Sequence, residues 1–190
     1  FYDDPLMRWA LDDDATRLRT LTRMFQGLTA GTLGSRGVVH LAADVATALW
    51  WEPDLAPAVE APPAGAGDGA PSEAPAGAAG PAEADDDPLW TPEEAARFDN
   101  LSAGQHEVHP SEPHWYLHVV STLPEHRSRG FGAAVLAPVL ARADADGTPC
   151  YLESTNPRNR SLYRRLGFVD VAQVPYDGPD MLAMWREPRS

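Results

Sequence analysis

Apolar residues recur at helical spacing in the first part of the chain. Leu18, Leu21, Phe25 and Leu28 follow one another at steps of three and four, which places them on one stripe of a helix. Aspartates at residues 12–14 can cap such a helix, so the pattern predicts a helix from there to about Ala30. Capping residues and helix-forming runs predict three further helices, at residues 91–104, 133–145 and 160–166.

Short runs rich in β-branched and aromatic residues, bounded by turn residues, predict strands. There are six such runs, at residues 37–42, 45–51, 114–122, 150–154, 168–174 and 181–185. The predicted helix at 133–145 lies between the third and fourth of these strands, and that order predicts a parallel crossover. We therefore expect an α/β protein in which helices flank a central mixed sheet.

Residues 53–88 interrupt this pattern with alanine, glycine, proline and acidic residues and have almost no large apolar side chain. Such a composition buries too little apolar surface to offset the entropy of ordering. We interpret the segment as a flexible surface insertion within one domain. The two parts of that domain are then residues 1–52 and residues 89–190.

The charge distribution indicates a small anionic ligand. The net charge of the chain is −13, which disfavours a general nucleic-acid surface because such a surface needs a positive field. Residues 127–165 nevertheless carry about +4, and the rest of the chain carries about −17. There is no apolar run of the roughly 20 residues that a membrane span needs. The single cysteine is compatible with the cytoplasm.

A basic loop with two glycines, residues 127–132, stands between the predicted strand at 114–122 and the predicted helix at 133–145. The first turn of a helix has backbone N–H groups without an intrahelical partner, and its dipole favours negative charge. The spacing excludes a dinucleotide Gly-x-Gly-x-x-Gly motif, because Val135 follows Gly132 by three. A P-loop is excluded because the chain contains no lysine. The pattern predicts a site for a phosphate-bearing cofactor, and a tight turn without a ligand is the alternative.

Two segments resemble the GCN5-related N-acetyltransferase (GNAT) family. The first is Arg-x-x-Gly-x-Gly at residues 127–132. The second, about 30 residues further on in the family's order, has the matching residues Asn159, Leu162, Tyr163, Gly167 and Phe168. The resemblance implies the acyl-coenzyme A N-acyltransferase fold, in which two central strands of a mixed sheet splay apart.

The resemblance extends from Trp115 to Pro188, where the chain looks most like puromycin N-acetyltransferase and related actinobacterial enzymes. The N-terminal third matches more loosely. The family has a first strand and the start of a first helix before this point, so Phe1 is expected to begin inside the family pattern, without the first strand.

The resemblance implies acetyl-coenzyme A as cosubstrate and assigns residues to it. Backbone groups of Val120 and Thr122 would hold the pantetheine arm in the opening between the splayed strands. Asn159 would contact the arm, although a turn or helix-cap role stays open for it. The pyrophosphate would be bound by the loop and the first helical residue, that is by Arg127, Ser128, Arg129, Gly130, Gly132 and Ala133.

The family's proton donor to the leaving thiolate matches Tyr163, for which a core role is the alternative. Glu153, on the strand beside the opening, is the candidate base, and His118 is a second candidate. A structural role stays open for Glu153. Five histidines lie between residues 106 and 126, but no metal site is predicted. Two of them, His114 and His118, would stand about 13 Å apart on a strand, too far to share an ion.

The sequence thus predicts an enzyme that transfers an acetyl group from acetyl-coenzyme A to a primary amine, preferably on a small molecule such as an antibiotic. An amine of a protein or peptide is the alternative acceptor, and a non-catalytic acyl-coenzyme A-binding module is the alternative class. We expect a cytoplasmic monomer or homodimer that binds neither nucleic acid nor membrane.

Overall fold

The computed structural model describes residues 1–35, 37–53 and 88–189. The predicted insertion at 53–88 therefore lies almost wholly outside the described residues. Six strands of the described residues form one mixed sheet in the order β1-β2-β3-β4-β6-β5. Their bounds are β1 Val38–Ala42, β2 Ala46–Trp51, β3 Trp115–Thr122, β4 Cys150–Ser154, β5 Val169–Gln173 and β6 Leu182–Arg186.

Helices cover both faces of the sheet, and their bounds are α1 Pro5–Ala10, α2 Asp14–Gly34, α3 Pro92–Val108, α4 Phe131–Asp146 and α5 Pro157–Leu166. The crossover β3–α4–β4 is the only connection between neighbouring parallel strands in the described sheet, as the element order predicts. The predicted fold class, a mixed α/β fold with flanking helices, is confirmed. No helix in the described part of the chain is long and apolar enough to cross a membrane.

Three details of the helices differ from the sequence prediction. α1 was not predicted, because a helix of six residues shows no periodicity, although Asp4 caps it and Pro5 opens it. Leu18 does not share the buried stripe of α2, since its side chain is 65% exposed. α3 passes through Gly104, the predicted end. A Cβ at this glycine would lie 2.2 Å from the carbonyl oxygen of Pro175, so the glycine permits close packing rather than stopping the helix.

The two faces of the sheet bury different clusters. Alternate residues of β2, including Ala48 and Trp50, pack against α4 together with Leu117 of β3. On the opposite face, α1, α2 and α3 enclose a second apolar cluster that includes Met24 and Phe98. Cys150, at the start of β4, is fully buried in the first cluster. The next residue, Tyr151, belongs to a third cluster, as strand alternation requires.

An ion pair joins the end of α4 to β6. Nη2 of the buried Arg186 donates to Oδ2 of Asp144 at 2.8 Å, and Nη1 lies 2.7 Å from Oδ1. The Arg186 Nε also donates to the carbonyl of Leu166 at 2.9 Å. The guanidinium lowers the pKa of the Asp144 carboxyl.

We expect Asp144→Asn to lower the free energy of unfolding at pH 7 by about 3 kcal/mol, because it leaves a buried guanidinium without its counter-charge. The native carboxyl has a lowered pKa, so its contribution is present above the ordinary carboxyl pKa and is lost as the pH falls through the lowered value. The difference in melting temperature between the two proteins should therefore shrink as the pH falls below about 4, the ordinary carboxyl pKa. A difference that is constant from pH 7 to pH 2 would contradict this account.

Candidate active site

The opening in the sheet begins where β3 and β4 separate. The parallel ladder pairs Trp115 with Cys150 and ends at Leu117 with Leu152, although β3 continues to Thr122 and β4 to Ser154. One edge of β3 is consequently not paired with β4 beyond Leu117. The predicted splay between two central strands is present at this position.

A bulge in β3 lies at the start of this opening. Leu49 of β2 pairs with Val119, whereas the next residue, Trp50, pairs with Leu117, so His118 is the extra residue. Regular strand alternation would place His118 and Val120 on one face, but the bulge separates them. His118 stacks on Trp51 with ring centroids 5.1 Å apart, while Val120 packs with the cluster on the α4 side.

The basic loop has the conformation of an anion-binding helix start. Gly130 is the N-cap of α4 and adopts a left-handed φ of 88°, while Ser128 has a φ of 59°. No side chain caps the helix, so the N–H groups of its first turn, from Phe131 to Ala133, are available to a ligand. An added Cβ at Gly130 would meet no atom within 4 Å, which leaves space on the outer side of the loop. These features fit a pyrophosphate.

Thr122 connects the loop to the opening. Its carbonyl oxygen accepts a hydrogen bond of 3.4 Å from Nε of Arg127. Its hydroxyl lies 3.8 Å from the position of a Cβ at Gly132, and that Cβ would also lie 3.2 Å from Leu162 of α5. Gly132 thus permits α4, α5 and the end of β3 to approach one another.

The helix α5 presents the two predicted residues of the second segment to the opening. Asn156 caps this helix by accepting a hydrogen bond of 3.1 Å from the N–H of Arg158, so Asn159 is not the cap. Asn159 and Tyr163, one turn apart, both line the cavity described below. Burial raises the pKa of Tyr163, and the charge of Asp4 raises it further, so the phenol remains protonated at neutral pH.

Glu153 is held in the opening by an aromatic neighbour. Its side chain is only 3% exposed, and Oε2 accepts a hydrogen bond of 2.6 Å from the hydroxyl of Tyr116. Oε1 lies 3.8 Å from Nδ1 of His109. Burial and this carboxylate together raise the pKa of Tyr116 well above its usual value, so the phenol acts as a donor. Burial lowers the pKa of His118, which makes its imidazole a weaker base than an exposed one.

A cavity of about 190 Å³ brings the predicted residues of the opening together. Val120, Glu153, Asn159 and Tyr163 all line it. The loop residues and Thr122 do not line it: Thr122 ends β3, and the loop leads into the start of α4. The helix start can bind an anion. The cavity contains a proton donor, Tyr163, and a carboxylate, Glu153. Within the described residues, no group of three metal-ligating side chains is present.

Asp4 and Tyr116 are site residues that the sequence analysis did not select. Asp4 lines the cavity, caps α1 by accepting from the N–H of Leu6, and accepts a hydrogen bond of 3.2 Å from Thr155. The Asp-Pro pair is a helix-start signal that could have located the cap, but only the tertiary fold brings it to β4. Tyr116 could have been found from its strand register with Tyr151, two residues before Glu153.

The known proteins to which this chain is similar are described as acetyltransferases. The sequence model of the acetyltransferase (GNAT) family matches residues 82–168, which include the opening, the loop and α5. A solved structure from Corynebacterium glutamicum, described as histone acetyltransferase HPA2 and related acetyltransferase, is 26% identical with a TM-score of 0.56. That match covers 100% of this chain and 92% of the other.

Two curated relatives match shorter stretches. An uncharacterized N-acetyltransferase of Schizosaccharomyces pombe is 34% identical over 55 residues, which are 29% of this chain and 22% of the relative. A mycothiol acetyltransferase of Acidimicrobium ferrooxidans is 36% identical over 75 residues, which are 38% of this chain and 22% of the relative. The matches thus span about a fifth of the length of these relatives.

Proposed function

We propose that this chain, whose residues 82–168 match the model of the GNAT family of acetyltransferases, is a member of that family and transfers an acetyl group from acetyl-coenzyme A to a primary amine. One observation carries the proposal: the opening between β3 and β4 places a buried carboxylate and a protonated phenol in one cavity, beside a helix start without a side-chain cap. An amine that enters this cavity meets groups for both proton transfers.

Acetyl-coenzyme A is the cosubstrate of this family, and the residues at the opening fit it. The N–H groups at the start of α4 and the side chains of Arg127 and Arg129 would bind its pyrophosphate. The unpaired edge of β3 at Val120, together with Thr122 and Asn159, would hold its pantetheine arm. The thioester supplies the activated acetyl group.

Two residues of the chain would manage the protons. In the reaction, the amine nitrogen forms a bond to the acetyl carbonyl carbon and the carbon–sulfur bond breaks. One proton leaves the nitrogen and one is added to the departing sulfur. Glu153, which Tyr116 orients, would accept the first directly or through one water. Tyr163 would donate the second.

The acceptor is proposed to be a small molecule. The resemblance of residues 115–188 to puromycin N-acetyltransferase and related actinobacterial enzymes supports an antibiotic-like amine. A protein or peptide amine is the second acceptor class. The cytoplasmic location, the monomeric or homodimeric state and the domain composed of residues 1–52 and 89–190 are further parts of this proposal.

Two measurements test the proposal against a non-catalytic binding module. Acetyl-coenzyme A should raise the melting temperature through mass action. Mass spectrometry of reactions with a library of primary amines should then reveal products heavier by one acetyl group. Stabilisation by acetyl-coenzyme A without any acetylated product would favour the binding module.

We expect Glu153→Gln to lower kcat roughly 10²-fold to 10⁴-fold, because glutamine can still accept from Tyr116 but cannot take up the amine proton. Acetyl-coenzyme A affinity should be unchanged. Glu107→Gln, on the exposed side of α3, is the matched control and should behave like the unmodified protein. Full turnover by the Glu153 variant would leave His118 or water as the base.

A further inference from the structure

Part of the cavity lining is an apolar chamber between the first three helices and the sheet. We use this name for the apolar side chains that these helices, β2 and the residue before β6 contribute to the lining: Leu6, Met7, Met24, Phe25, Leu28, Trp51, Phe98, Leu101 and Met181. Most of these side chains are buried, and they come from α1, α2, α3, β2 and the residue before β6. An occupant of the chamber is therefore surrounded by hydrocarbon, sulfur and aromatic rings on several sides.

The charged side chains of the cavity lining are two carboxylates, Asp4 and Glu153, with no arginine among the described residues. Ser102 and Gln105 of α3 add polar groups to the lining. Oε1 of Glu153 is buried and lies 3.8 Å from Nδ1 of His109, which does not line the cavity. Because the charged groups of the lining are negative, the cavity favours an ammonium or an amine. The cavity thus combines carboxylates that can bind a nitrogen with an apolar chamber that can bind a carbon skeleton.

We propose that the acceptor is a small primary amine whose nitrogen is joined by a short arm to a single apolar body, aliphatic or aromatic, that fills the apolar chamber. This inference rests on the proposed function and specifies the substrate class of the same site. Burial of the apolar body favours binding in proportion to the apolar area removed from water. The carboxylates orient the nitrogen towards the opening between β3 and β4.

The same geometry disfavours hydrophilic and polycationic amines. A second ammonium or several hydroxyls on the body of the acceptor would lie against the apolar chamber without partners, and buried polar groups without partners are costly. A polyamine that presents one nitrogen to Glu153 and extends into the apolar chamber would place another nitrogen among Met24, Leu28 and Phe98. Charge attraction alone would favour a polycation, so the apolar chamber and the carboxylates make opposite predictions for these substrates.

A panel of amines tests the proposal on the unmodified protein. Ethylamine, hexylamine and 2-phenylethylamine have one amine each and differ in apolar area, while ethanolamine, spermidine and a peptide with a free amino terminus represent the other classes. We expect kcat/KM for hexylamine and 2-phenylethylamine to exceed that for ethylamine and spermidine by about 100-fold or more. Acetylation without this preference, or a preference for spermidine or the peptide, would overturn the inference and leave the proposed function intact. Acetylation of none of these amines would also overturn the inference, whereas the absence of an acetylated product across the whole library of primary amines would reject the proposed function.

A pair of substitutions in α2 tests the position of the apolar body. Leu28→Gln introduces an amide into the apolar chamber, whereas Leu33→Gln makes the same change at a site that is 65% exposed. Only Leu28→Gln should raise KM for 2-phenylethylamine, by about tenfold, with kcat and KM for ethylamine changed less than about threefold. The separate variant Leu28→Met, which keeps an apolar side chain at this position, should have the same KM as the unmodified protein. Equal effects of the two glutamines, or an equal effect on both amines, would contradict the placement.

Discussion

Gly130→Asp is expected to remove measurable binding of acetyl-coenzyme A. The substitution places a carboxylate beside the N–H groups at the start of α4, where a pyrophosphate would lie. A unit charge at about 5 Å from a phosphate, at an effective dielectric constant of about 20, costs about 3 kcal/mol, or roughly 100-fold in affinity for each phosphate charge. Isothermal titration with acetyl-coenzyme A measures the loss directly.

The variant Gly130→Asn distinguishes the effect of the added charge on binding from the effect of backbone strain. Asparagine and aspartate have nearly the same shape, and both tolerate the left-handed conformation better than other residues with a side chain. Because a Cβ at Gly130 meets no neighbouring atom, both variants should fold. The asparagine variant should retain binding, with a moderate loss. Equal affinities of the two variants would show that the pyrophosphate does not lie at this loop.

Tyr163→Phe is expected to lower kcat roughly 10²-fold to 10⁴-fold, the usual cost of removing one positioned proton donor. The ring still packs against Phe168, with centroids 6.1 Å apart in the native protein, so fold and cofactor affinity should be retained. Burial raises the pKa of this phenol, and its deprotonation should therefore add no alkaline limb to the pH–rate profile between pH 7 and about pH 10. Steady-state kinetics with the best amine of the panel give the measurement.

Two other outcomes have distinct meanings. Turnover like that of the unmodified protein would make Tyr163 a packing residue and assign the proton to water. Loss of acetyl-coenzyme A binding together with turnover would make the ring a wall of the cofactor site. Phe168→Leu is a suitable control, because it alters the same contact without touching a proton donor.

The elements near the proposed chemistry could be predicted from local sequence because each has its own start and stop signal. Strand β4 was predicted with its observed bounds, and the glycines at 130 and 132 located the start of α4. At Gly104 the prediction was wrong because a tertiary contact outweighed a local sequence signal. In the sequence, Gly104 is a signal for the end of a helix, but in the fold the Pro175 backbone packs where a side chain at this position would be.

The cavity could be predicted only in part. Its residues on β3, β4 and α5 come from two segments with recognisable spacing, so their proximity follows from a parallel crossover. The apolar chamber combines side chains from α1, α2, α3, β2 and the residue before β6. No local sequence pattern indicates that these helices meet over the cavity. The bulge at His118 could not be predicted from the sequence either, because one extra residue in a strand changes the alternation of apolar and polar residues too little.

The buried position of Cys150 determines how the reaction can be followed. This is the only cysteine of the chain; it is fully buried, and burial raises the pKa of its thiol to about 12. Thiolates rather than thiols attack disulfide reagents, so the folded protein should react with such a reagent very slowly. A continuous colorimetric assay with an aromatic disulfide should then report the coenzyme A released at each turnover with almost no protein background. A rise in that background would signal unfolding during the assay.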